Sequence, residues 1–508
     1  MQVQYASDEV FIELSDANAI EYLNRVFALQ KKAFLQNPNP SAKQRIDLMA
    51  RVPDMLRKHR KDILEALNAD FGGHSSQQGD LIEILGVFER AKYNIANVEK
   101  WMKSQNRELS FLTMGSSKAY VKSHPKGVIG NMVSWNFPFD IALGPTLDQL
   151  GAGNRVILKP SDLSPVCGRL LQQMISETFD EEQVAVVNGS LELAKYFPTM
   201  PWDHLVFTGS GNIGKQVMKA AAENLVPVTL ELGGKNPVIV HEDSVNNPDA
   251  IAEIIGVKAV KRGQMCVTPD YCFVPEKSLD VFVKNLEEVL EQKFKNNNGE
   301  THATGIINAS HQIRLMAMLE EAKDHQVKVI QVGHLPKNGE RNMPFHIVVN
   351  PPEHLRLMSQ EIFGPIIAIK TYTNEQEIID YIQQGDKPLA LYIYSKNQAF
   401  INYLTENTES GGVSVNALAM QAALPSLPFG GVGSSGIGVH HGEEGFREFS
   451  NQRGYFVRGK GGVFKTIMPP YTHETDDFIE NVGYAPPLKQ LKFALKQLPK
   501  NIMAMLFG

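Results

Sequence analysis

Between residues 128 and 233 the chain repeats one pattern, a short apolar run bounded by Gly, Pro or Asn and then a segment of helical length. The runs are 128–133, 156–158, 184–187, 205–207 and 228–232, and residues 212–224 form one of the segments between them. Continuous apolar strands alternating with helices predict a parallel sheet covered on both faces. A second series runs from 236 to about 416, with candidate strands at 238–240, 272–274, 327–332, 347–349, 366–370, 389–394 and 412–415 and a helix over 279–294. Two α/β domains in series imply a cleft between them, where ligands bind.

The flanks read differently. Residues 17–105 are helical in pattern, with Ile46, Met49, Val52, Leu56, Ile63 and Leu67 recurring at three- to four-residue intervals or multiples of them. Pro53 is expected to kink or split that stretch. Residues 427–454 open with a glycine-dense turn and lack a core of their own, so they should pack on another domain or subunit. The one low-complexity turn is 296–300. The first 16 residues lack a basic and apolar leader, and the stretch 127–145 is interrupted by Asn131, Asn136 and Asp140, so a cytoplasmic protein without a membrane span is expected. The tail 488–507 alternates Lys489, Lys492, Lys496 and Lys500 with leucines. That pattern suits an anionic membrane surface or a helix docked on its own protein, and Pro499, read as a break, favours docking.

The chain has 508 residues, enough for roughly two to four domains. Its net charge is −6 with no long block of either sign, which argues against nucleic acid as a partner. Three cysteines in so long a chain point to a reducing compartment rather than a disulfide framework. Cys167 follows Pro165 in a first helical turn and Cys272 begins an apolar strand; both read as small buried hydrophobes. Cys266 falls in a loop after a helix that starts at Asn247 and Pro248. Lys258, Lys261 and Arg262 are expected at that helix's end, Gly263 at its cap, and these cations should lower the thiol pKa. His440 and His441 are adjacent without a metal-ligand spacing, so no metal is assigned.

The sequence Gly209-Ser210-Gly211-Asn212-Ile213-Gly214 follows the strand 205–207 and opens a helix. In that context G-x-G-x-x-G places backbone N–H groups and a helix N-terminus against a pyrophosphate. The fingerprint also expects an acidic residue about 20 positions on. Glu231 stands 22 residues after Gly209 but opens Glu231-Leu232-Gly233-Gly234-Lys235, a turn facing the interdomain cleft. Lys159 and Asp162, just past the strand 156–158, offer a better ribose site.

Seven segments in order resemble the aldehyde dehydrogenase superfamily over nearly the whole chain. They are Ser134-Trp135-Asn136-Phe137-Pro138, Lys159-Pro160-Ser161, Phe207-Thr208-Gly209-Ser210, Glu231-Leu232-Gly233-Gly234-Lys235, Gly263-Gln264-Met265-Cys266, Glu361-Ile362-Phe363-Gly364-Pro365 and Leu427-Pro428-Phe429-Gly430-Gly431. Cys266 followed by Val-Thr-Pro-Asp-Tyr, and His441-Gly442 ahead of Phe449-Ser450, resemble the branch of fatty, aromatic and coniferyl aldehyde dehydrogenases, with a leaning to the coniferyl type.

The resemblance implies two Rossmann-like parallel-sheet α/β domains plus a small β oligomerisation element. The NAD(P)-binding domain would be 1–108 and 127–233, the catalytic domain 234–432, the oligomerisation element 109–126 and 433–460, and the tail 461–508. Cys266 would be the nucleophile, Asn136 with the Cys266 backbone N–H the oxyanion donors, and Glu231 the general base that activates water, which displaces its reading as a ribose ligand. Glu361 and Phe363 would position the nicotinamide ribose and ring, Lys159 and Asp162 the adenosine ribose, and Ser210 the pyrophosphate. Gly209, Ile213, Gly214 and Leu232 complete the cofactor-binding set, with Trp135 lining its channel. Phe137, Phe139 and Phe429 would line the aldehyde entrance. Asp162 favours NAD, since a carboxylate repels a 2′-phosphate, although its short side chain leaves NADP open. The implied reaction is oxidation of an aromatic or aliphatic aldehyde to the acid by a homo-oligomer, a dimer before a tetramer. Glu231 argues against transfer of the acyl group to coenzyme A, and Cys266, Glu231 and Asn136 together argue against an idle binding protein.

Overall fold

The computed structural model describes residues 15–295, 304–333 and 341–507, so the turn at 296–300 and the segment before residue 15 lie outside the described residues. The chain forms two compact units, Met1–Val98 with Pro125–Phe449 and Glu99–His124 with Ser450–Gly508.

The strands, in chain order, begin with β1 (Gln105–Arg107) and β2 (Lys118–Pro125). Next come β3 (Val128–Met132), β4 (Arg155–Lys159), β5 (Val184–Val186), β6 (His204–Gly209) and β7 (Val228–Leu232). The second series is β8 (Pro237–Val240), β9 (Tyr271–Pro275), β10 (Lys328–Val332), β11 (Phe345–Val349), β12 (Ile366–Tyr372), β13 (Ala390–Tyr394) and β14 (Gly412–Val415). β15 (Gly436–Ile437) and β16 (Ser450–Val457) follow. Each apolar run expected from the sequence in the two series is a strand.

The first unit holds two sheets. One has the order β15-β7-β6-β3-β4-β5, parallel except for β15. The other has the order β10-β11-β12-β9-β8-β13-β14, parallel except for β10. Val156, Ile157 and Leu158 in β4 and Val238, Ile239 and Val240 in β8 have no exposed surface, as strands covered on both faces require. In the first sheet β4 and β5 lie to one side of β3 and β6 and β7 to the other. The order therefore reverses between β3 and β6, and a ligand crevice opens past the carboxyl ends of these strands.

The second unit contains the antiparallel pair β1-β2, with β16 on the other side of β2. Tyr120 stacks on Tyr455 at 4.9 Å there. The sequence division at 433 moves to Ser450, because β15 adds to the edge of the six-stranded sheet beside β7 and keeps 433–449 in the first unit.

Three expectations fail on backbone grounds. Helix Ala42–Lys58 runs through Pro53 and breaks only at His59; its buried face of Met49, Val52, Met55 and Leu56 carries it past the lost N–H bond. Helix Pro487–Phe507 likewise contains Pro499 without a break. Helix Pro248–Ala259 starts as expected, with Asn247 capping the Asp249 N–H. Its end is not at Gly263: Lys261 and Arg262 both take left-handed backbone angles and turn the chain before that glycine.

Candidate active site

The carboxyl ends of β3, β4, β6 and β7 carry the predicted cofactor residues. β6 ends at Gly209, and helix Gly211–Ala222 begins with Ser210 as its N-cap, whose side chain makes no capping bond. The first N–H groups of that helix are thus free of side-chain capping and suit an anion. A side chain on Gly214 would run into Leu232, which explains the third glycine as a helix-to-strand packing requirement. Ile213 is exposed on the same turn and Leu232 is buried beneath it. Lys159 is buried with its Nζ on the Pro160 carbonyl at 3.1 Å, while Asp162 is exposed beside it.

Past β3, Trp135 packs edge-on against Phe363 at 5.5 Å and against His311 at 5.2 Å. Phe363 itself has φ of 50°, a left-handed backbone for a bulky residue. Glu361, two residues before it, lies over Gly233, where any side chain would collide with the carboxylate. Glu361 Oε1 is buried without a hydrogen bond, and burial, reinforced by Asp270, pushes its pKa up to about 8. An unpartnered buried acceptor over a bare glycine, a free helix N-terminus and an aromatic pair fit the ribose, pyrophosphate and ring of a dinucleotide.

The loop that carries Cys266 is built around one exposure. Of residues 261–270, all are buried except Cys266, which is half-buried. Asn136 Nδ2 donates to the Gln264 carbonyl at 3.2 Å, which ties the loop after β3 to the chain two residues before the thiol. An amide nitrogen has a second N–H, and this one is left for another acceptor. Gln264 in turn accepts from the Ile307 N–H at 3.0 Å and donates to Lys261 and Gly305 carbonyls.

The cations expected around Cys266 point elsewhere. Lys258 Nζ donates to the Pro269 carbonyl, and Arg262 lies over the Phe345 ring at 4.8 Å. Lys261, fully buried, donates to Glu83 Oε1 at 2.5 Å and to the Asn136 carbonyl at 2.7 Å. Burial, with the carboxylates of Glu361 and Glu231 facing it, pushes the Cys266 thiol up to about 12; the Cys266 and Val267 N–H groups pull weakly the other way. The thiolate fraction therefore rises about tenfold per pH unit, and alkylation by iodoacetamide in the absence of cofactor should follow from pH 7 to 9. A plateau reached below pH 8 would restore the cation-lowered thiol.

The Lys261–Glu83 pair also supports the fold of the site. Glu83 Oε2 accepts the Phe139 and Asp140 N–H groups, so this one pair fixes the loop after β3 and the chain leading to Cys266. Lys261→Met strands a buried carboxylate and should cost about 3–5 kcal/mol in chemical denaturation, with partial recovery in Lys261→Met/Glu83→Gln. A loss below about 1 kcal/mol would show that the carboxylate is readily neutralised.

Glu231 sits in β7, paired laterally with Thr208 of β6 and Gly436 of β15. Both carboxylate oxygens are buried without hydrogen bonds, and burial raises its pKa well above the usual range. His440 Nε2 lies 3.8 Å from Glu231 Oε1. Phe429, half-buried, stacks on His441 and meets His440 edge-on, each at 5.3 Å. Asp148, held by Asn94 at 2.6 Å, accepts the His441 N–H at 3.0 Å and fixes this turn. His440 was missed as a neighbour of Glu231 by sequence reasoning; its signal was a histidine pair inside a glycine-dense turn. Among the described residues no group of three or more His, Cys, Asp or Glu could hold a metal.

Two entrance aromatics belong to the core instead. Phe139 has no exposed surface. Phe137 packs in the cluster with Met265 and Val267, and Lys261 Nζ sits 4.4 Å from its ring centre. Phe429 alone of the three keeps an open face.

The chain matches the aldehyde dehydrogenase family over residues 2–454. It is 38% identical over 452 residues to a probable coniferyl aldehyde dehydrogenase of Pseudomonas aeruginosa, covering 89% of this chain and 94% of the relative. It is 36% identical over 456 residues to the coniferyl aldehyde dehydrogenase of a Pseudomonas species, with 89% and 94% covered. A solved structure described as the substrate-bound state of Staphylococcus aureus AldH superposes with a TM-score of 0.84 at 32% identity, covering 90% of this chain and 98% of that one. A fold match, a family match over most of the chain and relatives aligned along nearly their whole length lead to one conclusion: this chain belongs to the aldehyde dehydrogenase family.

Proposed function

We propose that the protein oxidises an aldehyde to its carboxylic acid with NAD as hydride acceptor, through a covalent intermediate on Cys266. The observation that carries this reading is the single partly exposed thiol in an otherwise buried loop, faced by the carboxylates of Glu231 and Glu361. When bound, the oxidised nicotinamide supplies a hydride acceptor and a positive charge.

The chain's own residues divide the work. Cys266 loses its proton and adds through sulfur to the aldehyde carbonyl, giving a thiohemiacetal. The developing oxyanion takes the Cys266 N–H and the spare N–H of Asn136, which the Gln264 carbonyl keeps in orientation; losing one such donor typically costs about 10²- to 10³-fold. Hydride loss leaves a thioester on Cys266. Glu231, desolvated and without hydrogen-bonding partners, is suited to take a proton from water, which attacks the thioester and releases the acid and the free thiol. Trp135, Phe363 and Glu361 hold the nicotinamide half, while Ser210, Gly209, Gly214, Lys159 and Asp162 hold the pyrophosphate and adenosine half. Phe429 lines the aldehyde path, and a flat aromatic aldehyde of the coniferyl type is the preferred substrate. A cytoplasmic homodimer that uses β2 and β16 for assembly completes the proposal.

The test is NADH absorbance with coniferyl, benzyl and medium-chain aliphatic aldehydes, each with NAD and with NADP. Oxidation of the aromatic aldehydes with NAD at the higher kcat/KM is the expected result. Cofactor reduction by none of the three classes would overturn the reading.

A further inference from the structure

The family match ends at residue 454, and the second unit continues beyond it to helix Pro487–Phe507. Two stripes run along this helix. Leu488, Leu491 and Leu495 recur at three- and four-residue steps and are 71%, 58% and 56% exposed; Met503, 56% exposed, lies further along. Lys489, Lys492 and Lys496 keep the same spacing one position on and are also exposed. Residues three and four apart share a helix face, so leucines and lysines form adjoining outward faces. The opposite side is the one that packs: Phe493 meets Phe478 at 6.4 Å, Ala494, Gln490 and Val482 line the same groove, and Leu491 reaches its edge while staying more than half exposed.

The charge of this segment is opposite to that of the rest of the chain. No Asp or Glu follows Glu480, whereas the whole chain has a net charge of −6. None of the three exposed lysines is paired with a carboxylate among the described residues. Tyr484, 83% exposed, stands just before the helix and has the amphipathic ring that favours a lipid–water boundary. No described helix is long and apolar enough to cross a membrane, so the helix is suited to lie in the interface plane.

We infer that helix Pro487–Phe507 binds an anionic lipid bilayer, with Leu488, Leu491 and Leu495 entering the acyl boundary and Lys489, Lys492 and Lys496 meeting the headgroups. Positive charge on the helix complements anionic lipid, and leucines flanked by lysines are the pattern an interfacial helix needs. A second copy of this chain would bring like charges together along the same face.

The experiment is sedimentation of the full-length protein with vesicles of phosphatidylcholine alone, or with about one-third phosphatidylglycerol. Binding should be at least about tenfold stronger to the anionic vesicles and should weaken in high salt. Each lysine near such a surface strengthens binding about fivefold, so Lys489→Glu/Lys492→Glu/Lys496→Glu should lower it by about a hundredfold or more. Leu488→Ser/Leu491→Ser/Leu495→Ser should abolish it. Both variants should keep normal NADH formation with a water-soluble aldehyde, showing that they fold. Equal sedimentation of wild type and variants, no binding to either vesicle, or a smaller assembly in the leucine variant by light scattering would each overturn the inference, the last by assigning the face to a second copy.

Discussion

Cys266→Ala should abolish NADH formation, by at least about 10⁴-fold, while the protein still binds NAD with unchanged affinity. The two halves of this expectation rest on different parts of the structure. The helix N-terminus at Ser210, the Trp135–Phe363 pair and the carboxylate of Glu361 lie on other loops, and none needs the sulfur to keep its place. The thiol, by contrast, would supply the only bond that holds the substrate carbon during hydride loss in the proposed reaction. Alanine also leaves the Asn136–Gln264 hydrogen bond intact, so the loop should keep its shape. NAD titration by tryptophan fluorescence together with single-turnover NADH absorbance measures both halves. Residual turnover within tenfold of wild type would remove Cys266 from the chemistry; lost NAD binding would show that the substitution had disturbed the loop.

The central strands were legible because they are covered on both faces, which forces continuous apolar runs such as 156–158 and 238–240. β15 is two residues long and exists only because β7 offers it an edge, so no local pattern announces it. Pro53 misled because local rules count the lost N–H bond and the steric penalty but not the packing of Met49 and Leu56. The chemistry of Cys266 was read from its neighbours in sequence, and that is where it failed. Lys261 finds Glu83, 178 positions away, and the charges that actually face the sulfur are carboxylates brought in by β7 and by the loop before β12. Residue types and order were visible in the chain; the sign of the field at the thiol depended on contacts that only the fold creates.

Glu231→Gln should separate the two halves of the reaction. Glutamine keeps the size of the side chain and removes its ability to take a proton, so the thioester should form and then persist. NADH should appear as a burst near one equivalent per site, followed by turnover slower than wild type by about 10²- to 10⁴-fold. The pH dependence gives an independent check. Burial holds the Glu231 pKa well above the usual carboxylate range, so at low pH the group is protonated and cannot act as a base. Wild-type turnover should therefore rise with pH as Glu231 loses its proton, and the limb that Glu231 controls should be absent from the slow phase of the glutamine variant. His440, 3.8 Å away, is itself held neutral by burial, so it does not lower that pKa by adding a positive charge. Stopped-flow NADH absorbance from pH 6 to 9 resolves burst and steady state together. A variant with no burst would place Glu231 before hydride loss, as the group that takes the thiol proton; a variant with wild-type turnover would leave water activation to another residue.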